Sequence, residues 1–447
     1  VSGKREWGVI GGGVLGMTLA LRLAQRGHSV TLYEAASELG GLAASWRIGD
    51  IVWDKHYHVI LASDSRLRAL LRELGLEQDL QWVETKTGFY TDNKFYSMSN
   101  SLEFLRFPPL NLIDKFRLAL TILHASRIKN WHPLENVLVA NWLRRYSGAN
   151  TTRKIWLPLL RAKLGANYEK TSAAFIWATI ARMYAARRSG LKKEMFGYLP
   201  GGYARILSAL EKKARAAGVS IRTGCSLRDL ERLERVSLKF ANGESATADD
   251  VVLTIPCHIA AKACPQLAAD ERQRLLGVEY QGILCASVLL KKALGPYYVT
   301  NITEEWVPFT AVIEMTALVN PSDLGGNHLI YLPKYIAADD PSFALSDGEL
   351  RDTFLAALQK MYPAFDEKDV LAFQVSRVRN VFAIPTLRYS AKLPPMATSV
   401  PGLYIVNSAH IVNGTLNVNE TVALAERALP LILARSGTAA RGAYARV

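Results

Sequence analysis

The stretch Val9-Ile10-Gly11-Gly12-Gly13-Val14-Leu15-Gly16-Met17 decides the fold. Val9 and Ile10 end an apolar run, and Met17 to Gln25 continue as an amphipathic helical pattern. Between them Gly11, Gly13 and Gly16 spell G-x-G-x-x-G. In that pattern the first glycine permits the tight strand-to-helix turn and the second lets backbone approach a pyrophosphate. The third lets helix and strand pack closely. Val14 and Leu15 open the helix, where free N–H groups and the positive end of the dipole attract phosphate. A second apolar run, Ser29 to Tyr33, ends in Glu34, 18 residues past Gly16. A carboxylate there accepts hydrogen bonds from ribose hydroxyls, with Ala35 beside it. Strand, glycine turn, helix, strand and acid together predict a bound dinucleotide.

The dinucleotide is narrowed by the segment that follows, Ala35-Ala36-Ser37-Glu38-Leu39-Gly40-Gly41-Leu42. Paired glycines remove side chains where backbone passes close to something bulky or takes a positive φ. In this position Gly40-Gly41 resembles the G-G motif of the flavoprotein superfamily of amine oxidases, protoporphyrinogen oxidases, phytoene desaturases and UDP-galactopyranose mutases. Many amine oxidases carry Arg after the pair, where this chain has Leu42, which moves the likeness toward the other branches. The resemblance implies FAD as cofactor, with Gly40, Gly41 and Leu42 beside its pyrophosphate.

Further blocks extend the resemblance along nearly the whole chain. Trp53-Asp54-Lys55-His56-Tyr57-His58 looks like the segment beside the isoalloxazine ring, which implies flavin contacts for His56, Tyr57 and His58. Tyr198 to Tyr203 contains the P-x-G-G turn, and Gly218 to Thr223 resembles the next strand, near a backbone adenine contact at Leu227. Ala248-Asp249-Asp250-Val251-Val252-Leu253-Thr254-Ile255-Pro256 is similar to the A-D-x-V-V-x-T-x-P strand. Pro401 to Val406 resembles the strand leading to the last FAD contact. There the usual Gly-Asp is replaced by Asn407 and Ser408, which still hydrogen-bond a polyol but without charge assistance. The Asn413-Gly414 turn is expected to deliver Thr415 to Val418, with Leu416 and Val418 at the flavin, ahead of a helix from about Glu420.

The expected fold is α/β, a Rossmann-type FAD-binding domain with a discontinuous α+β substrate domain. The FAD domain is drawn from 1–90, 200–265 and 365–436, and the substrate domain from 91–199 and 266–364, with a tail at 437–447. Only one G-x-G-x-x-G occurs, so no dedicated NAD(P) domain is expected. The four cysteines have no metal spacing and read as buried thiols of a reducing cytoplasm. No run of 18 apolar residues suggests a membrane span, and the short polar N-terminus reads as no signal peptide.

The net charge of +14 suits an anionic membrane face or an anionic substrate. No nucleic-acid motif accompanies it. Basic residues gather at Arg182, Arg187, Arg188, Lys192 and Lys193. Phe104 to Trp131 mixes apolar and basic residues in a way that suits a lipid interface or a packed helix with solvated charges. The expected location is cytoplasmic, with peripheral contact at the inner face of a membrane.

Catalytic expectations fall on His56 and His58, which can bond the flavin or move a proton near neutral pH. Arg379, ahead of Val381-Phe382-Ala383-Ile384-Pro385, resembles the family's entry strand and joins them. Arg161 and Lys163, in a long apolar stretch, are candidates for holding an anionic substrate or for snorkelling. Tyr298, Tyr331 and Tyr389, with Tyr297 and Tyr335, are candidate pocket walls. Three functions remain open at this point. The chain is an FAD-dependent oxidase or dehydrogenase of a hydrophobic or lipid-linked small molecule, a redox-neutral enzyme resembling UDP-galactopyranose mutase, or a non-catalytic FAD-binding scaffold.

Overall fold

A computed structural model describes residues 3–187, 195–413 and 416–443. Two sheets organise it. The first has five parallel strands in the order Leu403–Ile405, Asp250–Leu253, Glu6–Ile10, Ser29–Tyr33 and Ser220–Arg222. The three central strands are buried on both faces, as parallel strands covered by helices are, and their side chains alternate between two cores. Val9, Leu32, Val252 and Tyr404 face a core shared with the helices Val14–Ala24, Gly202–Ala216 and Val418–Ala443. Ile10, Tyr33, Val251, Leu253 and Ile405 face the other, capped by the antiparallel meander Leu227–Arg232, Val236–Phe240 and Ser245–Ala248.

The second sheet has seven strands in the order Val370–Ala383, Tyr280–Leu290, His328–Ala337, Ala311–Glu314, Val299–Ile302, Thr87–Thr91 and Lys94–Ser97. Tyr280–Leu290 is buried along its whole length because it has a long antiparallel neighbour on each side. Leu284, Ala286, Val288 and Leu332 point to a core closed by helix Asp347–Met361. Ile283, Cys285, Tyr331 and Tyr335 point the opposite way, onto a core that includes Trp53 and Tyr57. A helical layer, Leu112–Arg127, Val139–Ser147, Leu157–Leu164 and Ala173–Arg187, packs on Tyr335, Val381 and Phe382.

The strands Thr87–Thr91 and Val370–Ala383 pair in the seven-stranded sheet, although 1–90 and 365–436 were ranges expected for the FAD domain. The last helix, Val418–Ala443, runs on into the segment expected as a tail. All four cysteines are free and buried. Among the described residues no helix is long and apolar enough to cross a membrane, and no cluster suited to a metal ion occurs. Arg188, Lys192, Lys193 and Thr415 lie outside the described residues.

Candidate active site

The glycine turn forms a cradle of bare backbone. Gly11 takes φ 108° at the end of the first strand, which an L side chain resists. Gly13 precedes the helix Val14–Ala24, which has neither a side-chain cap nor an acid in its first turn. The amides of Val14, Leu15 and Gly16 are therefore free of carboxylate competition. Gly40 donates from its N–H to the carbonyl of Gly12 at 2.9 Å, so the Gly-Gly turn lies against the first one. A Cβ on Gly41 would sit 3.3 Å from the Cα of Gly13. The Glu34 carboxylate closes this edge, accepting from the N–H of Gly12 at 2.5 Å and of Ala36 at 2.8 Å. Ala35 follows it, and Leu227 opens the meander next to Cys225, whose N–H bonds the Glu34 carbonyl.

The segment 54–58 is tied to that cradle. His56 donates from Nδ1 to the carbonyl of Leu42 at 3.1 Å. Burial, with His58 beside it, pushes His56 down to about 4, so its ring is neutral near pH 7 and Nε2 is an acceptor. His56 Nε2 and His58 Nδ1 are both buried without a hydrogen-bond partner among the described residues. His58 Nδ1 stands 3.7 Å from Asp54 Oδ2, beyond hydrogen-bond reach, and its ring packs on Tyr203 at 4.7 Å. Asp54 itself caps a distant helix: its Oδ1 accepts from the N–H of Tyr203 at 2.9 Å, near the start of Gly202–Ala216. Gly202 is required there, because a Cβ would lie 2.9 Å from that same oxygen.

Tyr57 leads from this segment to the seven-stranded sheet. Its hydroxyl meets that of Tyr335 at 2.9 Å, and Lys163 donates from Nζ to Tyr335 Oη at 2.5 Å. The Lys163 ammonium also lies 5.6 Å from the ring centre of Phe382. Enclosure among these rings, with no carboxylate among the causes acting on it, pushes Lys163 down to about 7. Cys285, deeply buried next to this chain, is pushed up by burial and stays a thiol. Tyr331 donates to the carbonyl of Asp54 at 2.6 Å, which fixes the strand His328–Ala337 against the 54–58 segment.

The other expected residues do not converge here. Arg161 is exposed and pairs with Glu305 at 3.2 Å. Arg379 is exposed, donating to the carbonyl of Ala338 at 2.6 Å with its guanidinium over Phe343. Tyr389 lies in the core behind the five-stranded sheet, its hydroxyl on the carbonyl of Ala409 at 3.1 Å. Tyr298 is buried in the sheet, packed on Phe196. Asn407 is committed to protein: Nδ2 donates to the carbonyl of Ile255 at 2.8 Å and Oδ1 accepts from the N–H of Ala409 at 3.1 Å. Ser408 starts the short turn that Asn407 caps. Leu416 packs on both the dinucleotide core and the helical core, and Val418 starts the last helix against the former. Sequence reasoning missed the cap made by Asp54 and the ring of Phe382 over Lys163, since both partners are remote in the chain.

The residues present fit a flavin dinucleotide. The bare glycine cradle, the uncapped helix and Glu34 suit its pyrophosphate and ribose, and the orphaned nitrogens of His56 and His58 await a polar ligand. Comparison with known proteins agrees. Residues 16–424 match the family model described as flavin containing amine oxidoreductase. A probable zeta-carotene desaturase of Synechococcus elongatus is 24% identical over 282 residues, 57% of each chain. The coproporphyrinogen III oxidase of Mycobacterium tuberculosis is 26% identical over 286 residues, 59% of this chain and 62% of that one. The chain thus spans less than two thirds of the length of these curated relatives. A reduced UDP-galactopyranose mutase shares the fold at a TM-score of 0.75, with 15% identity over 96% of this chain and 94% of the other. A match over most of its length places the chain in the flavin-containing amine oxidoreductase family, with FAD as its cofactor.

Proposed function

We propose that the chain is an FAD-dependent oxidoreductase that removes a hydride from a hydrophobic or lipid-linked small molecule. Lys163 accepts the proton that this oxidation releases. FAD supplies the electron-accepting chemistry, and the cradle 11–16, Glu34, Gly40 to Leu42, His56 and His58 are the residues that would hold it. The observation that carries the reading is the half-buried chain from Lys163 Nζ through Tyr335 Oη to Tyr57 Oη. A lysine near pKa 7 is divided between amine and ammonium at neutral pH, which is where a general base works best. The two tyrosine hydroxyls are donors and acceptors that stay protonated, so they relay a proton without holding charge. Tyr335 and Phe382 surround the lysine with aromatic rings, which suit an apolar substrate better than a sugar nucleotide. The carotene and porphyrinogen of the two relatives' names are likewise bulky carbon skeletons.

The test is anaerobic mixing of the FAD-loaded protein with isoprenoid lipids, porphyrinogens and amines, followed at flavin wavelengths. Bleaching by an apolar substrate is the expected result. If none bleaches it, and a sugar nucleotide is converted only after dithionite reduction, the chemistry is redox-neutral and the reading fails.

A further inference from the structure

Helix Leu112–Arg127 is built inside out. Its inward face carries Asp114, Lys115, Leu118, Thr121 and Ala125. Its outward face carries Leu112, Ile113, Phe116 and Leu120, which are 74%, 72%, 65% and 47% exposed. At 100° per residue these four fall within one stripe about a quarter-turn wide. The polar inward residues are satisfied, so the orientation is specified. Asp114 accepts from Asn150 at 2.6 Å, and Lys115 donates to the carbonyl of Leu105 at 2.7 Å. The second bond brings helix Ser101–Arg106 alongside, and that helix adds Leu102 and Leu105, each 55% exposed. Six large apolar side chains in two neighbouring helices are thus exposed, more than a soluble surface leaves uncovered without use.

The charge around this face is of one sign. From residue 101 to 154 the sequence has nine Lys and Arg against three Asp and Glu. Two of those acids, Asp114 and Glu135, are buried. Several of the cations have neutral partners: Arg117 reaches the carbonyl of Tyr146 at 3.4 Å, Lys154 that of Pro109 at 3.0 Å, and Arg153 the amide of Asn150 at 3.0 Å. Beneath the inward face of the helix, Asn150, the partner of Asp114, also lines a cavity of about 520 Å3 with Arg144, Arg153, Asn141 and Thr152. An apolar stripe on a segment whose exposed charge is basic matches the surface of an anionic bilayer, with acyl chains for the stripe and headgroup phosphates for the cations. A second copy of the chain is the poorer occupant, because it would set two basic segments against each other.

We propose that the helices 101–106 and 112–127 dock the protein on an anionic lipid bilayer, Leu112, Ile113, Phe116 and Leu120 entering the acyl boundary and the segment's cations meeting headgroups. The inference does not rest on the identity of the substrate. Flotation of the FAD-loaded full chain with phosphatidylcholine vesicles, with and without equal phosphatidylglycerol, tests it in the absence of substrate. The protein should float with the anionic vesicles, bind neutral ones at least about tenfold more weakly, and be released by high salt. The double variant Ile113→Asp/Phe116→Asp should stay at the bottom of the gradient with its flavin spectrum and melting temperature unchanged. Ile113→Ser/Phe116→Ser serves as the milder control for folding. Absence of flotation by the wild type, or equal flotation by folded double variants, overturns the proposal. So does a concentration-dependent dimer in solution that the same substitutions dissociate, since the stripe is then covered by a second copy.

Discussion

Two glycines three residues apart, Gly13 and Gly16, make opposite predictions on substitution by alanine. A Cβ on Gly16 would lie 1.9 Å from the carbonyl oxygen of Gly11 and 3.1 Å from its carbonyl carbon. Carbon and oxygen approach comfortably only to about 3.3 Å, so backbone must give by more than an ångström. The obstacle is backbone on a strand that is itself paired on both sides, through Asp250–Leu253 and Ser29–Tyr33. Gly16→Ala should therefore cost about 3 kcal/mol of folding stability whether or not FAD is present. A Cβ on Gly13 meets only the carbonyl oxygen of Gly40, at 4.0 Å, an ordinary contact. Gly13→Ala should leave the apoprotein as stable as the wild type. It should still weaken FAD binding by about 1–3 kcal/mol, or roughly five- to 150-fold, because the new methyl stands where the pyrophosphate approaches. Urea unfolding of the apoproteins and fluorescence titration with FAD separate the two effects. Wild-type FAD affinity in Gly13→Ala would refute the placement of the pyrophosphate at this turn. Wild-type stability in Gly16→Ala would refute the packing argument.

Further outcomes follow from single side chains. Lys163 is neutral above about pH 7 and protonated below it, so flavin reduction by substrate should rise with pH through that value. Stopped-flow rates for Lys163→Met should be slower and lose this rise; an unchanged pH profile would remove Lys163 from the proton path. Asp54→Ala deprives the N–H of Tyr203 of its buried acceptor and should cost about 2 kcal/mol in urea unfolding, with loss smaller than about 0.5 kcal/mol contradicting the cap. Glu314 is enclosed in the larger sheet and burial raises its carboxyl from 4.5 to about 7. The folded protein holds the proton more tightly than the unfolded chain, so this stabilisation is complete below about 4.5 and is lost as pH rises to 7. Glu314→Gln should therefore gain about 3 kcal/mol on the wild type between pH 4 and pH 8 in denaturant titrations, and a constant difference would refute it.

The dinucleotide half of the molecule was legible because its signals are local. Gly11, Gly13 and Gly16 act within one strand-turn-helix unit, and Glu34 closes the next strand, so spacing alone carries their geometry. The Gly40-Gly41 turn and the Asp54 to His58 segment, singled out by resemblance, lie next to each other, joined by the bond from His56 to the carbonyl of Leu42. Expectations for lone residues on helices and strands fared differently, because a pattern does not say which face is inward. Arg161 and Lys163 looked alike in sequence, but two residues turn a helix by about 200°, which leaves one on Glu305 and encloses the other at Tyr335. Arg379 lies one position from Val378 in a strand, so it takes the opposite face, over Phe343.

By itself, then, the sequence determined the glycine turn, the strand-turn-helix unit around it and the family, since each is carried by residues within a few tens of positions. Only the tertiary structure decided what surrounds that unit. Tyr57, Lys163 and Tyr335 are brought together by a sheet and a helix far apart in the chain. The helix 112–127 turns its apolar side outward because Asn150 and the carbonyl of Leu105 hold its polar side in. Such choices are settled by long-range partners competing for each buried polar group, and no local spacing records which partner wins.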